Sequence, residues 1–200
     1  KSYSSGDIQN TRDLTITVSK FSFFLMLIPS GLILLNTDII LSLWLDETPD
    51  YVASFCQLMI MNILIESLIS GFPSAIQASG KIKYPQIILS GNLLLTLPIS
   101  CYLFFLNFPP QSIILVFIVG TIMNNIFAQY FLKVYLGISI IDYFKKVYAK
   151  AFYVVLAILP IFFFRSNFPS SVLFLIISSL ILMLWTLAAI FLVGFTVNEK

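Results

Sequence analysis

Histidine is absent from this chain, charge is scarce and cysteine nearly so, and each shortage removes a class of function. Without imidazole there is no His-based acid–base catalysis, no haem ligation through His and no His-containing metal site. Charged residues are 10% of the 200, hydrophobic residues are 59%, and the mean hydropathy is +0.99. A soluble domain of that size has no means of keeping so much apolar surface from water. The two cysteines, Cys56 and Cys101, fall in separate apolar stretches and read as reduced, packed thiols, not as a disulfide or metal pair. No basic run carries interleaved aromatics, so nucleic acid is not an expected partner. No Gly-rich phosphate loop is present either, which leaves nucleotide-driven chemistry without its usual cradle.

What the chain does have is long apolar runs. A helix needs roughly 20 residues to cross a hydrocarbon core of about 30 Å. Six segments meet or approach that length, at 14–36, 51–79, 86–106, 112–136, 149–164 and 170–195. They are continuously apolar and lack period-two alternation, so a transmembrane β-barrel is excluded. The expected fold is all-α, a polytopic transmembrane bundle of six spans.

Charge in the gaps orients the bundle. Lys1, Arg12 and Lys20 precede or open the first span, Lys81 and Lys83 follow the second, and Lys133, Lys145, Lys146 and Lys150 follow the fourth. The first outer gap holds Asp46, Glu47 and Asp50 with no base. With both termini cytoplasmic, 10 of the 11 basic residues lie inside, Lys200 among them, and Arg165 alone lies outside.

The connections carry their own signals. Residues 1–13 read as a polar cytoplasmic connector from a preceding N-terminal half, since the chain opens on KSYSSGDIQNTRD without an initiator Met. Residues 37–45 are too short to span again and read as an outer helix capped by Thr37, with Trp44 and Tyr51 in the aromatic belt. Gly80 is placed to end the second span, Pro85 suits the next first turn, and NFPPQ at 107–111 reads as a tight outer turn. Residues 137–150 form an expected interfacial helix, with Ile138, Ile141, Phe144 and Tyr148 on one face and Ser139, Asp142, Lys145, Lys146 and Lys150 mostly opposite. Residues 151–200 then supply two peripheral spans, poor in polar groups, and a cytoplasmic tail.

Polar residues inside the spans are the best pointers to function, because burying an acid there costs about 2.5–3.5 kcal/mol on insertion scales. Glu66 lies mid-span, and Asn62, Glu66 and Ser70 follow i, i+4, i+8, with Gln77 expected on the same face past a kink at Gly71 and Pro73. Two readings are open for this stripe: the border of a water-filled cavity, or a protonated Glu66 bonded to a neighbouring helix. Asn92 with Thr96, and Asn125 with Gln129 beside Asn124, are weaker stripes that read either as cavity lining or as interhelical bonds. Lys20 either projects into a cytoplasm-facing cavity or snorkels to the inner headgroups. Asp38 reads as a cation ligand or as an acid stabilising a helix N-terminus.

The stretch LMIMNILIESLISGFPSAIQASGKIKYPQIILSGNLLLTLPIS at 58–100, its core AIQASGKIKYPQ at 75–86, and KFSFFLMLIPSGLILLNTDIILSLWL at 20–45 carry a resemblance. They are similar to the C-terminal half of lipid-linked O-antigen oligosaccharide flippases, in the superfamily that also holds multidrug exporters and lipid II flippases. The similarity spans roughly residues 5–140 and fades beyond, and it departs from the common Gly-Ala pattern at 109–112. The resemblance implies one lobe of a two-lobed transporter, with an N-terminal lobe as partner and a central cavity that rocks between inward- and outward-open states. The implied substrate is an undecaprenyl-pyrophosphate-linked oligosaccharide, moved between leaflets of a bacterial inner membrane for surface polysaccharide biosynthesis. No cofactor is implied. Cations hold the pyrophosphate in such cavities, which makes Arg12 and Lys20 the candidates here.

Competing classes make different demands. A drug or small-solute exporter shares the fold but implies an acidic, apolar cavity with few bases. An oligosaccharide polymerase wants a large outer loop with basic residues, and an acyltransferase wants a catalytic His; neither is present. A purely structural membrane subunit leaves Glu66 without a role.

Overall fold

The computed structural model describes residues 8–45, 47, 49–165 and 172–194. Lys1, Asp46, Lys200 and both ends of the expected 170–195 span lie outside the described residues. Among those described, all regular structure is helical. Four stretches are long and apolar enough to cross a membrane: Gln9–Trp44, Val52–Ser79, Lys83–Phe105 and Gln111–Leu136.

Helix α1 runs Ile8–Trp44, 37 residues, so it begins inside the expected connector. The cause is local: Thr11 and Thr15 are buried, and Arg12 reaches the far end of α5, so this segment packs instead of trailing. A helix of that length is about 55 Å long, too long for one straight crossing. The backbone breaks at Asn36 (φ −125°, ψ 23°), where the outer helix was expected to begin. Thr37 does not cap the following segment. Its hydroxyl donates back to the Ile33 carbonyl at 2.7 Å, a group of the preceding turn, as the Asn36 amide does to Leu32 at 3.1 Å.

The second expected span is two helices, α2 (Val52–Ser67) and α3 (Phe72–Ser79), joined by a turn at 68–71. Gly80 closes α3 with φ +71°, a left-handed conformation in which a Cβ is strained. Helices α4 (Lys83–Phe105) and α5 (Gln111–Leu136) then form an antiparallel pair across the short turn at 106–110. Helix α6 (Ile140–Tyr143) continues through a π-helical turn (Phe144–Tyr148) into α7 (Ala149–Arg165). Helix α8 (Val172–Ala189) ends in a second π-turn, Ile190–Gly194.

The expected apolar face of the interfacial segment is corrected. Tyr143, Val147, Ala151 and Val154 face the core, spaced i, i+4, i+8, i+11, whereas Ile141 and Phe144 are exposed. Ile138 is buried with the core set, apart from the face it was grouped with. The π-turn adds one residue to the helical repeat and so rotates everything before it. Cys101 is exposed, not packed, and Cys56 is half-buried; both thiols are free.

Packing runs in one direction. Helix α4 lies on α5, α5 on α2 and α3, these on α1, and α1 on α7 and α8. In α4 the buried positions are Pro85, Thr96 and Ser100, while Leu94, Leu95, Leu97, Tyr102 and Phe105 point outward. Small and polar groups inside with large apolar groups outside is the arrangement expected where the surrounding solvent is lipid.

Candidate functional site

A cavity of about 560 Å³ opens between α2, the 68–71 turn, α4 and α5. Asn62, Glu66 and Ser70 supply one wall, and Thr121, Asn124 and Asn125 face them from α5. Leu89, Leu93 and Phe117 fill the outer side, and Ile69, Phe72 and Pro73 the side next to the break. The lining contains one acid and no base.

Asn62, Glu66 and Ser70 each keep side-chain hydrogen-bonding capacity. The Glu66 side chain is exposed, lines the cavity and makes no hydrogen bond or ion pair to the described residues. Asn62 Oδ1 and Ser70 Oγ are both sealed from bulk solvent and without a hydrogen-bond partner. Unmet polar atoms are costly in a folded chain; Asn36 Oδ1, Ser100 Oγ, Gln111 Oε1 and Ser112 Oγ are further examples away from this cavity. The kink past Ser70 is real, but Gln77 does not rejoin the stripe. It is exposed and outside the lining, because the turn at 68–71 breaks the helical phase that would have carried it round.

The α4 and α5 stripes divide. Asn92 Nδ2 donates to the Gly120 carbonyl at 2.8 Å and to Asn124 Oδ1 at 2.7 Å, so it ties α4 to α5. Gly120 permits that approach: a Cβ there would stand 2.9 Å from Thr96 Cγ2. Asn125 borders the cavity, yet both ends of its amide are engaged. Its Nδ2 donates to Thr121 O at 2.9 Å, and its Oδ1 accepts from the Tyr148 hydroxyl at 2.9 Å. Gln129 Nε2 donates to the same Tyr148 oxygen at 2.9 Å. Asn92 and Gln129 therefore hold helices together one step behind the cavity.

The two cations expected at a pyrophosphate are used elsewhere. The Arg12 guanidinium donates to the Leu136 carbonyl and lies over Gly137, where a Cβ would meet its terminal nitrogen; it caps the end of α5. Lys20 is only 3% exposed, with its ammonium 5.7 Å from the Phe21 ring centroid. Lys20 does not line this cavity.

Three residues of this region carried no functional signal in the sequence. Tyr148 was grouped with an apolar face, Tyr143 with no face, and Ser19 precedes the more conspicuous Lys20. Burial raises the pKa of Tyr143 well above the usual tyrosine value against the opposing hydrogen bond from Ser19, and it raises that of Tyr148 too. Both phenols stay protonated donors.

No family model, curated protein or solved structure matches the chain. Function has to be argued from the cavity and its neighbours.

Proposed function

We propose that this chain is one lobe of an alternating-access flippase that moves lipid-linked oligosaccharide from the cytoplasmic to the periplasmic leaflet of a bacterial inner membrane. On this reading α1, α2 with α3, α4, α5, α7 and α8 are six spans with both termini cytoplasmic. A preceding lobe closes the cavity from the other side. The ligand is an undecaprenyl-pyrophosphate-linked oligosaccharide, and the protein is a transporter, not an enzyme.

The observation that carries the proposal is the α2 wall. An exposed, unpaired Glu66 on a wall it shares with Asn62 and Ser70 is poorly suited to acyl chains and well suited to water or a hydroxyl-rich ligand. A second reading, export of drugs or small solutes, is favoured by one specific fact. No base lines the cavity, and Arg12 and Lys20 are committed elsewhere, so on the flippase reading the pyrophosphate must be held by the other lobe.

Full-length protein in liposomes separates the readings. A fluorescent undecaprenyl pyrophosphate disaccharide in the inner leaflet becomes accessible to external dithionite if the protein flips it, and Glu66→Gln should slow that exposure on the order of tenfold or more. Movement of an organic cation without movement of the lipid would install the exporter reading. Movement of neither would leave a structural subunit.

A further inference from the structure

The turn between α2 and α3 interrupts a helix in a regular way. Leu68, Ile69 and Ser70 donate to the carbonyls three residues back, Ile65, Glu66 and Ser67, and Phe72 donates to Ile69. One bond of that series is missing, the one from the Gly71 N–H to the Leu68 carbonyl. Both orphaned groups are met from outside the helix. Gly71 N–H donates to Ser19 Oγ on α1 at 2.9 Å, and the Leu68 carbonyl accepts from the Tyr143 hydroxyl on α6 at 2.9 Å.

The missing backbone bond is thus replaced by two bonds from outside the helix: Gly71 N–H to Ser19 Oγ, and Tyr143 O–H to Leu68 O. Serine 19 is 0% and Tyr143 1% exposed, so water does not compete for any of these bonds. Gly71 is the residue that allows it, since a Cβ there would lie 2.3 Å from the Thr15 carbonyl oxygen.

The cavity wall crosses this break, with Glu66 on α2, Ile69 and Ser70 in the turn, and Phe72 and Pro73 on α3. The geometry points to Ser19 and Tyr143 as positioning residues of the cavity: their two bonds to the break are a latch that sets the angle between α2 and α3, and its release lets α3 move against α2 and changes the shape of the cavity wall. The assignment of a role in transport rests on the reading proposed above; the latch itself does not. A helix break held by side chains of two other elements, and not by its own backbone, can open without unravelling either helix.

Spin labels test it directly. In the full-length protein with Cys56→Ser and Cys101→Ser, labels at Met59→Cys and Ala78→Cys report the α2–α3 angle from exposed positions on either side of the break. The latched chain should give one narrow distance. Tyr143→Phe keeps the ring in the apolar cluster with Ile69 and Phe72 but removes the donor to the Leu68 carbonyl, and Ser19→Ala removes the acceptor of the Gly71 N–H. Each should broaden or split the distribution, and the double variant, with both orphaned groups released, should do so most. A narrow, unshifted distance in both single variants, with only thermal stability lowered, overturns the latch.

Should Tyr143→Phe not fold, Ser19→Ala and hydrogen exchange of the unaltered protein decide. A latch that opens makes the amides at 68–71 exchange on the order of tenfold faster than the interior of α2, while the rest of α3 stays protected. Exchange in step with α2 overturns it. None of these readouts needs substrate, so a protein that passes them and moves no lipid loses the transport reading and keeps the latch.

Discussion

Between α4, α5 and the α2–α3 break, polar and small buried groups (Thr96, Ser100, Ser112 and Asn125, with Asn92 bridging to Gly120 and Asn124) sit beside an apolar cluster that includes Ile69, Phe72, Phe131 and Leu132. Between α1, α7 and α8 the buried cluster is Phe23, Phe24, Leu27, Ala151, Val154, Ile158, Ala189 and Ile190, with Ser178 and Thr186 the buried polar residues of α8. Both regions bury helices against helices, but in a lipid solvent apolar burial gains little by itself, and order comes from close packing and hydrogen bonds. The α1–α7–α8 side is largely a shape-fitted apolar mass, in which Trp185 Nε1–H donates to the Ala157 carbonyl at 2.9 Å. The cavity side is fastened by discrete bonds that can be exchanged for water or ligand. Anything that moves should move there.

The sharpest way to break that contrast is to fill a close approach on each side. Gly71→Ala places a Cβ 2.3 Å from the Thr15 carbonyl, a backbone atom that cannot step aside, and disturbs the Ser19 bond as well. We expect a loss of about 3 kcal/mol, the upper end for overpacking, seen as a large fall in Tm in detergent. Gly194→Ala meets only the edge of the Phe24 ring, at 2.8 Å, and a ring can rotate. It should cost about 1 kcal/mol. Equal losses would erase the distinction between fastened and fitted sides.

That contrast was only half legible in the sequence. Helix α5 was expected at 112–136 and is Gln111–Leu136, because a long apolar run between PPQ and Gly137 leaves little freedom at either end. The stripe of Asn62, Glu66 and Ser70 does border one cavity: 3.6-residue periodicity joins Asn62 to Glu66 on α2, and Ser70 lies in the 68–71 turn directly after it. The same logic failed at Gln77 and at Ile138–Tyr148 for one reason: a 68–71 turn and a π-turn each shift the phase, and neither shift is encoded in hydropathy. Arg12 and Lys20 were misplaced because charge near a span end suggests a headgroup or a ligand, whereas a helix C-terminus 124 residues away was the real partner of Arg12. Local sequence carries no record of such tertiary caps.

A smaller effect is expected where one bond is removed without adding bulk. Asn92→Leu deletes the donor to Gly120 O and Asn124 Oδ1, and should cost about 1 kcal/mol, within the range for interhelical bonds in membranes. Tyr148→Phe, which frees Asn125 Oδ1 and Gln129 Nε2 together, should cost a similar amount and enlarge the polar lining of the cavity. Thermal unfolding of the two variants and of their double tests additivity. Their bonds share no member, so the sum should hold.

Alkaline titration acts on the same side alone. The phenols of Tyr143 and Tyr148 have folded pKa values above the unfolded value of 10.0. A group shifted upward in this way stabilises fully below the unfolded pKa, and that contribution is lost as pH rises past it through the folded value. The Tm should be flat up to about pH 9 and fall above about pH 10, more steeply in the unaltered protein than in Tyr143→Phe. The α1–α7–α8 side has no equivalent group among its described core residues.

The smallest change in stability is expected at the most conspicuous residue. The Glu66 side chain is exposed and has no partner among the described residues, so Glu66→Gln should leave stability, read from Tm, within about 0.5 kcal/mol of the unaltered protein. Glu66→Leu should raise it, because an acid on a membrane helix is carried at a cost of about 2.5–3.5 kcal/mol that Leu removes. A position whose apolar replacement stabilises the fold is one kept for something other than the fold. Should Glu66→Leu instead destabilise the protein, the carboxyl is a packing element bonded to a neighbour, and the α2 wall loses its claim to be a site.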